Sequence, residues 1–116
     1  LELSVKDKWG TIMEFMTKTF GKKPDMEAML YIIGTRELGD HADREFSKDE
    51  KVNLLHIAVC KLLSQSDYYQ LDGLDKDGWP LWKNIKEVPF LNIFEQETFL
   101  RHHIIAYFEE EEIIEL

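Results

Sequence analysis

The sequence predicts a mainly helical fold, with four helices organised around a central one at 47–64 and one β-hairpin at about 68–83 before the last helix. Two observations predict this fold. Apolar residues recur at three- and four-residue spacing in four stretches, as they do on the buried face of a helix. Between the third and fourth stretches the pattern changes to aromatic segments around a strong turn signal, as in a hairpin. With 116 residues, we expect a single domain spanning 1–116.

The central helix has the clearest local signals. Ser47 and Glu50 are three residues apart and form a capping box, which marks the start of a helix. Most of the following apolar residues share one half of the helix, while Ile57 and Cys60 lie on the other half. A helix that is apolar almost all round is packed by neighbours on more than one side. The main apolar stripe is predicted to contain Val52, Leu54, Leu55, Ala58, Val59, Leu62 and Leu63.

Two helices are predicted before the central one. Ser4 and Asp7 resemble a capping box for the first, and Gly21 is a natural left-handed residue at its end. Pro24 suits the first position of the second helix, in which Gly34 would allow the close approach of a neighbouring helix. The apolar positions of the two helices are Val5, Trp9, Ile12, Met13, Met16 and Phe20, then Met26, Met29, Leu30, Ile33 and Leu38.

The hairpin is predicted from the run Asp-Lys-Asp-Gly at 75–78, which favours a turn with Gly78 at a positive φ. Its strands are expected near 68–74 and 79–83. Proline cannot donate a ladder hydrogen bond, so the strand with Pro80 must be an edge strand or very short. A two-stranded hairpin must lay one face on the helices to be stable. That face is predicted to carry Tyr69, Leu71 and Leu81.

Asn92 and Glu95 predict the start of a final helix that runs from Ile93 to about Glu110. Glu97 and Arg101 lie one turn apart on this helix and should form an ion pair. The core stripe is predicted as Ile93, Leu100, Ile104 and Phe108, with Phe94 and Ile105 beside it.

Composition and charge narrow the class of protein. A 44% hydrophobic content is typical of a folded globular chain, and no apolar run reaches the length of a membrane span. The net charge of −9 repels phosphate, so neither nucleic acid nor an anionic membrane is expected as a partner. Five lysines against three acidic residues in 1–24, and one arginine against seven glutamates in 90–116, permit head-to-tail self-association.

The single cysteine, Cys60, excludes an internal disulfide and suits a reducing compartment, so a cytoplasmic location is expected. No signal peptide is visible. The chain begins at Leu1 without an initiator methionine, so a preceding segment is compatible with the sequence.

Three segments carry a resemblance: YIIGTRELG at 31–39, the central helix SKDEKVNLLHIAVCKLLS, and DGLDKDGWPLW at 72–82. Together they resemble a small bacterial protein family with no assigned function. The resemblance covers about residues 20–108. It implies no activity, and no functional residue is transferred from it.

His56 and Cys60 are one helical turn apart, a spacing that suits two metal ligands or a thiolate–imidazole pair. Zinc would need two more ligands, for which His41, Asp43, His102 and His103 are the available donors. Cysteine also behaves as a small buried hydrophobe, and this structural interpretation is the favoured one. No cofactor and no stoichiometric transition metal are therefore predicted.

The acidic residues before Gly78 are similar to a calcium loop only in part. Asp72, Asp75 and Asp77 are present, but Gly73 and Asn84 stand where an EF-hand needs its first acid and its final glutamate. A solvated turn is the favoured interpretation.

A cluster of aromatic residues around the hairpin either fills the core or forms a surface that binds a partner. Trp79 and Trp82 are three residues apart, so both cannot follow the alternation of one strand face, and one is expected to stay partly exposed. The predicted interaction surface consists of Tyr68, Trp79, Trp82 and Phe90.

The element order also permits a winged-helix-like arrangement, with the central helix as the recognition helix. That helix offers Asn53, His56 and Lys61 but is otherwise apolar, and the wing tip at 75–78 is acidic where phosphate contacts need Lys or Arg. We therefore expect a non-enzymatic acidic interaction protein that binds a protein partner or a second copy of itself. The alternatives are a metal- or thiol-dependent enzyme using His56 and Cys60, and a winged-helix-like nucleic-acid binder.

Overall fold

A computed structural model describes residues 4–39 and 43–116, and it confirms a mainly helical fold with an antiparallel hairpin before the last helix. The elements are α1 (Val5–Phe20), α2 (Met26–Leu38), α3 (Lys48–Ser64), β1 (Tyr69–Leu74), β2 (Pro80–Asn84) and α4 (Ile93–Glu110). The chain forms two compact units, one from residues 1–25 and 90–116 and the other from 26–89. A single domain over 1–116 stays a prediction.

The first unit is built from α1 and α4. Ser4 accepts a hydrogen bond from the backbone N–H of Asp7 at the start of α1, and Gly21 adopts the left-handed conformation after its last residue, as predicted. The ammonium group of Lys8 lies 2.9 Å from a carboxylate oxygen of Glu109. Opposite charges from the two ends of the sequence therefore meet within one chain. The buried apolar side chains of this unit include Ile12, Met13, Met16, Ile104, Ile105, Tyr107 and Phe108.

The start of α4 is confirmed, but the predicted burial of its first turn is wrong. Asn92 and Glu95 form a complete capping box, with N–H···O distances of 2.8 and 3.1 Å. Ile93 and Phe94, which were predicted to lie in or beside the core stripe, are each 82% exposed. The stripe is buried only in the second half of the helix.

The second unit places α2 against α3. The contact is closest at Gly34, where a Cβ atom would lie 2.2 Å from the backbone oxygen of Leu54. This confirms the prediction of close helix approach at this glycine. Helix α2 begins at Met26, two residues later than predicted, and Pro24 precedes it as a buried residue.

Helix α3 begins at the predicted capping box of Ser47 and Glu50, whose two hydrogen bonds measure 3.2 and 2.9 Å. Ile57 and Cys60, on the side opposite the main stripe, are fully buried, so apolar packing extends to both sides as predicted. Val52 is an exception within the predicted apolar stripe, because its side chain is 60% exposed.

The strands of the hairpin pair antiparallel, with Leu71 opposite Trp82 and an irregularity between Leu71 and Leu74. In the turn, the carbonyl of Asp75 accepts from the N–H of Gly78, which has a φ of 84°. A type I turn followed by a left-handed glycine is a common three-residue hairpin connection, and it forms where the sequence predicted it.

Trp79 anchors the turn to the helices of this unit. It is buried in a cluster with Leu38, Phe46, Leu54 and Ile57. Its ring meets that of Phe46 nearly edge-on, with 5.9 Å between centroids. An edge-to-face pair of buried aromatic rings is favourable beyond its area, so Trp79 fixes the tip of the hairpin against α3.

Candidate interaction surface

The two faces of the hairpin differ in burial. Tyr69, Pro80 and Trp82 are partly buried, whereas Leu81 and Lys83 on the other face are exposed. The first face is therefore turned toward the helices of the unit. The prediction that Leu81 would supply this face is wrong: alternation from Trp82 places it on the outer face, where it is 45% exposed.

An open groove of about 380 Å³ lies between the inner face of the hairpin and the ends of α2 and α3. Its lining is mainly apolar: Leu38, Leu71, Leu74, Pro80 and Trp82, with Gly78, Glu37 and Lys61 completing it. Leu71 is 51% exposed and Leu74 is 63% exposed, so the predicted contribution of Leu71 to a buried face is only partial. The groove leaves apolar surface in water.

Trp82 contributes the largest side chain to the lining of this groove. Its ring is partly buried, and its indole Nε1 is a buried donor with no acceptor among the described residues. A buried N–H without an acceptor costs about 1–3 kcal/mol. The unbound arrangement of Trp82 is therefore less favourable than one in which an acceptor reaches this nitrogen.

Glu37 and Lys61 line the groove, and both take part in ion pairs. The ammonium of Lys61 lies 3.9 Å from a carboxylate oxygen of Glu37, and Arg36 approaches the other oxygen of Glu37 at 3.6 Å. These separations are long for ion pairs, and the Glu37 side chain is only 18% exposed. Both signs of charge therefore occur at the edge of the groove.

The other aromatic residues of the predicted surface lie in different environments. Tyr68 is partly buried, with the ammonium of Lys86 4.2 Å from its ring centroid. Trp79 is buried in the core cluster. Phe90 belongs to the first unit, and its side chain is fully exposed. Of the two tryptophans, Trp82 is the one left partly exposed, and the role of the four residues as an interaction surface stays a prediction.

A polar cleft lies at the tip of the hairpin, lined by Arg44, Glu50, Asn53, Asp75, Asp77 and Trp79. Arg44 and Glu50 form a two-pronged ion pair, and the second prong joins Nη1 to Oε1 at 3.2 Å. Hydrogen bonds from the Arg44 side chain and then from the Ser47 backbone lower the pKa of Glu50 to about 2. The Arg44 guanidinium also stacks over Phe46, 4.6 Å from its centroid. This pair joins the loop before α3 to the helix start.

His56 and Cys60 are brought together as their spacing predicts. The sulfur lies 3.5 Å from Nε2 of His56, but Cys60 is fully buried while the ring is exposed. Burial raises the pKa of the thiol to about 11, so it is neutral at physiological pH. A neutral buried thiol is a poor nucleophile and a poor metal ligand, which opposes the thiol-enzyme alternative.

The structure describes three of the four other predicted metal donors. His103 is buried, and its Nδ1 donates to the carbonyl of Phe99 at 2.7 Å, whereas His102 and Asp43 are exposed. His41 lies outside the described residues. Within residues 4–39 and 43–116, no three His, Cys, Asp or Glu side chains are grouped so that they could hold a metal ion.

The carboxylate of Asp75 stabilises the acidic turn at 75–78. Oδ1 of Asp75 accepts from the backbone N–H groups of Asp77 and Trp79, at 2.8 and 2.9 Å. These two bonds hold the turn in the conformation that delivers Trp79 to the core. Aspartate commonly closes turns in this way, in agreement with the favoured interpretation of a solvated turn.

Comparison of the chain with protein-family models, with curated proteins and with solved structures finds no match. Of the helices in the described part of the chain, none combines the length and the apolar character needed to cross a membrane.

Sequence reasoning identified Trp82 but missed most of the groove. Glu37, Leu38 and Lys61 come from two helices, and their proximity to the hairpin cannot be deduced from local patterns. Strand alternation could have found part of it, because Leu71 stands opposite Trp82 in the ladder.

Proposed function

We propose that this protein is a non-enzymatic interaction protein that binds a short apolar segment of a basic protein partner in the groove around Trp82. The observation that carries the proposal is that Leu71, Leu74 and Trp82 present apolar surface to water on a side of the hairpin that already faces the helices. Exposed apolar surface rimmed by charge is typical of protein–protein contact sites.

The dimensions of the groove support a peptide rather than a large ligand. A volume of about 380 Å³ is at the lower end of the range for ligand pockets, and it suits one or two large apolar side chains. A partner backbone above the groove would also carry carbonyl groups. If one of them reaches the indole N–H of Trp82 on binding, the cost of an unpaired donor is removed.

The charge of the chain supports a basic partner. The net charge is −9, and Asp72 and Asp77 at the tip of the hairpin are exposed. A positive partner would be attracted from a distance, and its association rate would fall as salt is added.

The test is selection of peptides from a random displayed library on the immobilised protein. We expect enriched peptides to combine apolar residues with Lys or Arg, and to change the tryptophan fluorescence of the parent on binding. Leu71→Asp should abolish binding because it places a charge on the groove wall. Leu81→Asp is the matched control, since Leu81 has similar exposure but lies on the outer face of the hairpin.

The proposal fails if no peptide is enriched, or if the enriched peptides bind Leu71→Asp as tightly as the parent. Circular dichroism of both variants should match the parent, because neither side chain is buried. Duplex DNA serves as a negative control, and salt-dependent binding to it that weakens in Lys61→Ala would favour a nucleic-acid binder instead.

A further inference from the structure

The start of α4 and the segment just before it carry exposed apolar side chains. Phe90 is fully exposed, and Ile93 and Phe94 are each 82% exposed. These three residues, which we call the α4 patch, lie within five positions of one another: Phe90 precedes α4, and Ile93 and Phe94 are its first two residues. Every residue from 92 to 98 is exposed, whereas most residues from 103 to 108 are buried.

The α4 patch continues the stripe that forms the core of the first unit. Ile93 and Ile104 are eleven positions apart, close to three full turns, so they lie on the same side of α4. Phe94 and Ile105 have the same relation. Ile104 and Ile105 are buried in the first unit. The apolar stripe therefore runs the whole length of the helix, but this chain covers only its second half.

The charges beside the α4 patch are already engaged. Glu97 forms an ion pair with Arg101 at 3.1 Å, and Glu95 accepts a hydrogen bond from the backbone of Asn92. The Arg101 guanidinium also lies over the ring of Trp9, 5.0 Å from its centroid. A second α4 patch could approach without bringing unpaired carboxylates together at the centre of the contact.

We propose that the α4 patch is a self-association surface, on which two copies of this chain bury Phe90, Ile93 and Phe94 against each other about a twofold axis. The exposed area supports a second copy as the occupant. Aromatic side chains bury about 150–250 Å² each, so the α4 patch offers roughly 500 Å² per chain. Two copies would bury roughly 1,000 Å², the lower bound of a specific interface.

A patch related to itself by a twofold axis needs only apolar self-complementarity, which three neighbouring apolar side chains supply. The head-to-tail arrangement that the charge separation permits is less favoured, because Lys8 already pairs with Glu109 within the chain. This inference does not depend on the groove around Trp82, and the two surfaces share no residue.

The test is sedimentation velocity of the full chain from about 1 to about 200 µM, a range that spans affinities expected of a small interface. We expect the parent to dimerise within this range. Phe94→Lys and Ile93→Lys should weaken the dimer by at least about 30-fold, which corresponds to loss of an interface hot spot. Phe20→Lys is the matched control, since Phe20 is also an exposed apolar residue of the first unit and should leave the dimer unchanged.

A cross-linking experiment distinguishes a twofold contact from other arrangements. Ile93→Cys in a Cys60→Ala background should give a covalent dimer with a short bismaleimide, and Phe20→Cys in the same background should not. The proposal is overturned if the parent is monomeric throughout the range, if both lysine variants dimerise as tightly as the parent, or if Phe20→Cys cross-links as efficiently as Ile93→Cys. Peptide binding in the groove should survive every α4 variant, so failure of one proposal is separable from failure of the other.

Discussion

Substitution of Gly34 by alanine has two effects of opposite sign on the free energy of unfolding. Alanine stabilises a helix interior by about 1 kcal/mol relative to glycine. The added Cβ, however, would lie 2.2 Å from the backbone oxygen and 2.9 Å from the carbonyl carbon of Leu54. That oxygen belongs to the backbone of α3 and cannot turn away as a flexible side chain would. The two helices would therefore have to separate by on the order of 1 Å.

Such a separation loosens the contact between α2 and α3, which surrounds the fully buried Leu54. Overpacking of a close-packed interior typically costs about 1–3 kcal/mol, which includes the cost of backbone shifts. Because the obstacle is backbone, we expect the upper part of this range and a net loss of about 1–2 kcal/mol after the helix-propensity gain. For a unit of this size, the thermal midpoint should fall by roughly 7–15 °C.

Gly10→Ala is the matched control for this substitution. Gly10 also lies inside a helix, α1, but a Cβ there would meet nothing within 4 Å. It should therefore show the propensity gain alone and raise the midpoint. Thermal unfolding of both variants, followed by circular dichroism, measures the contrast. If Gly34→Ala is as stable as the parent or more so, the close approach of α2 and α3 is refuted.

Two further predictions concern titratable groups. The Cys60 thiol is buried, and its pKa is raised to about 11. A thiol reagent at mildly alkaline pH should therefore react with it only after denaturation. Immediate reaction with the native protein would contradict this burial. Arg44 and Ser47 lower the pKa of Glu50 to about 2. The Glu50 carboxylate therefore stabilises the fold fully above the ordinary pKa of 4.5, and this stabilisation is lost as the pH falls through about 2. The difference in thermal midpoint between the parent and Glu50→Gln should accordingly shrink over that window, and an equal difference at pH 7 and pH 2 would show that the carboxylate is not responsible.

The starts of α1, α3 and α4 were predictable because each depends on residues three positions apart. The capping boxes of Ser47 with Glu50 and of Asn92 with Glu95 form the hydrogen bonds that their spacing implies. The hairpin turn is equally local, since Asp75 and Gly78 supply its hydrogen bonds and its positive φ. Such interactions close within a few residues, so the sequence by itself determined them.

The candidate surfaces were predictable only in part. The three-residue spacing of Trp79 and Trp82 required that one of them leave the strand face, and Trp82 is the one that stays partly exposed. Which of the two enters the core depends on Phe46, which reaches Trp79 from a distant part of the sequence. The charged rim of Glu37 and Lys61 likewise comes from two different helices.

Burial along α4 was decided by the tertiary structure alone. Ile93 and Ile104 occupy the same side of one helix, and their periodicity gives no reason to distinguish them, yet one is 82% exposed and the other is fully buried. Periodicity fixes the direction in which a side chain points from its own helix. Whether that side chain leaves water depends on what stands opposite it, and in α4 the covering residues reach only the second half of the helix.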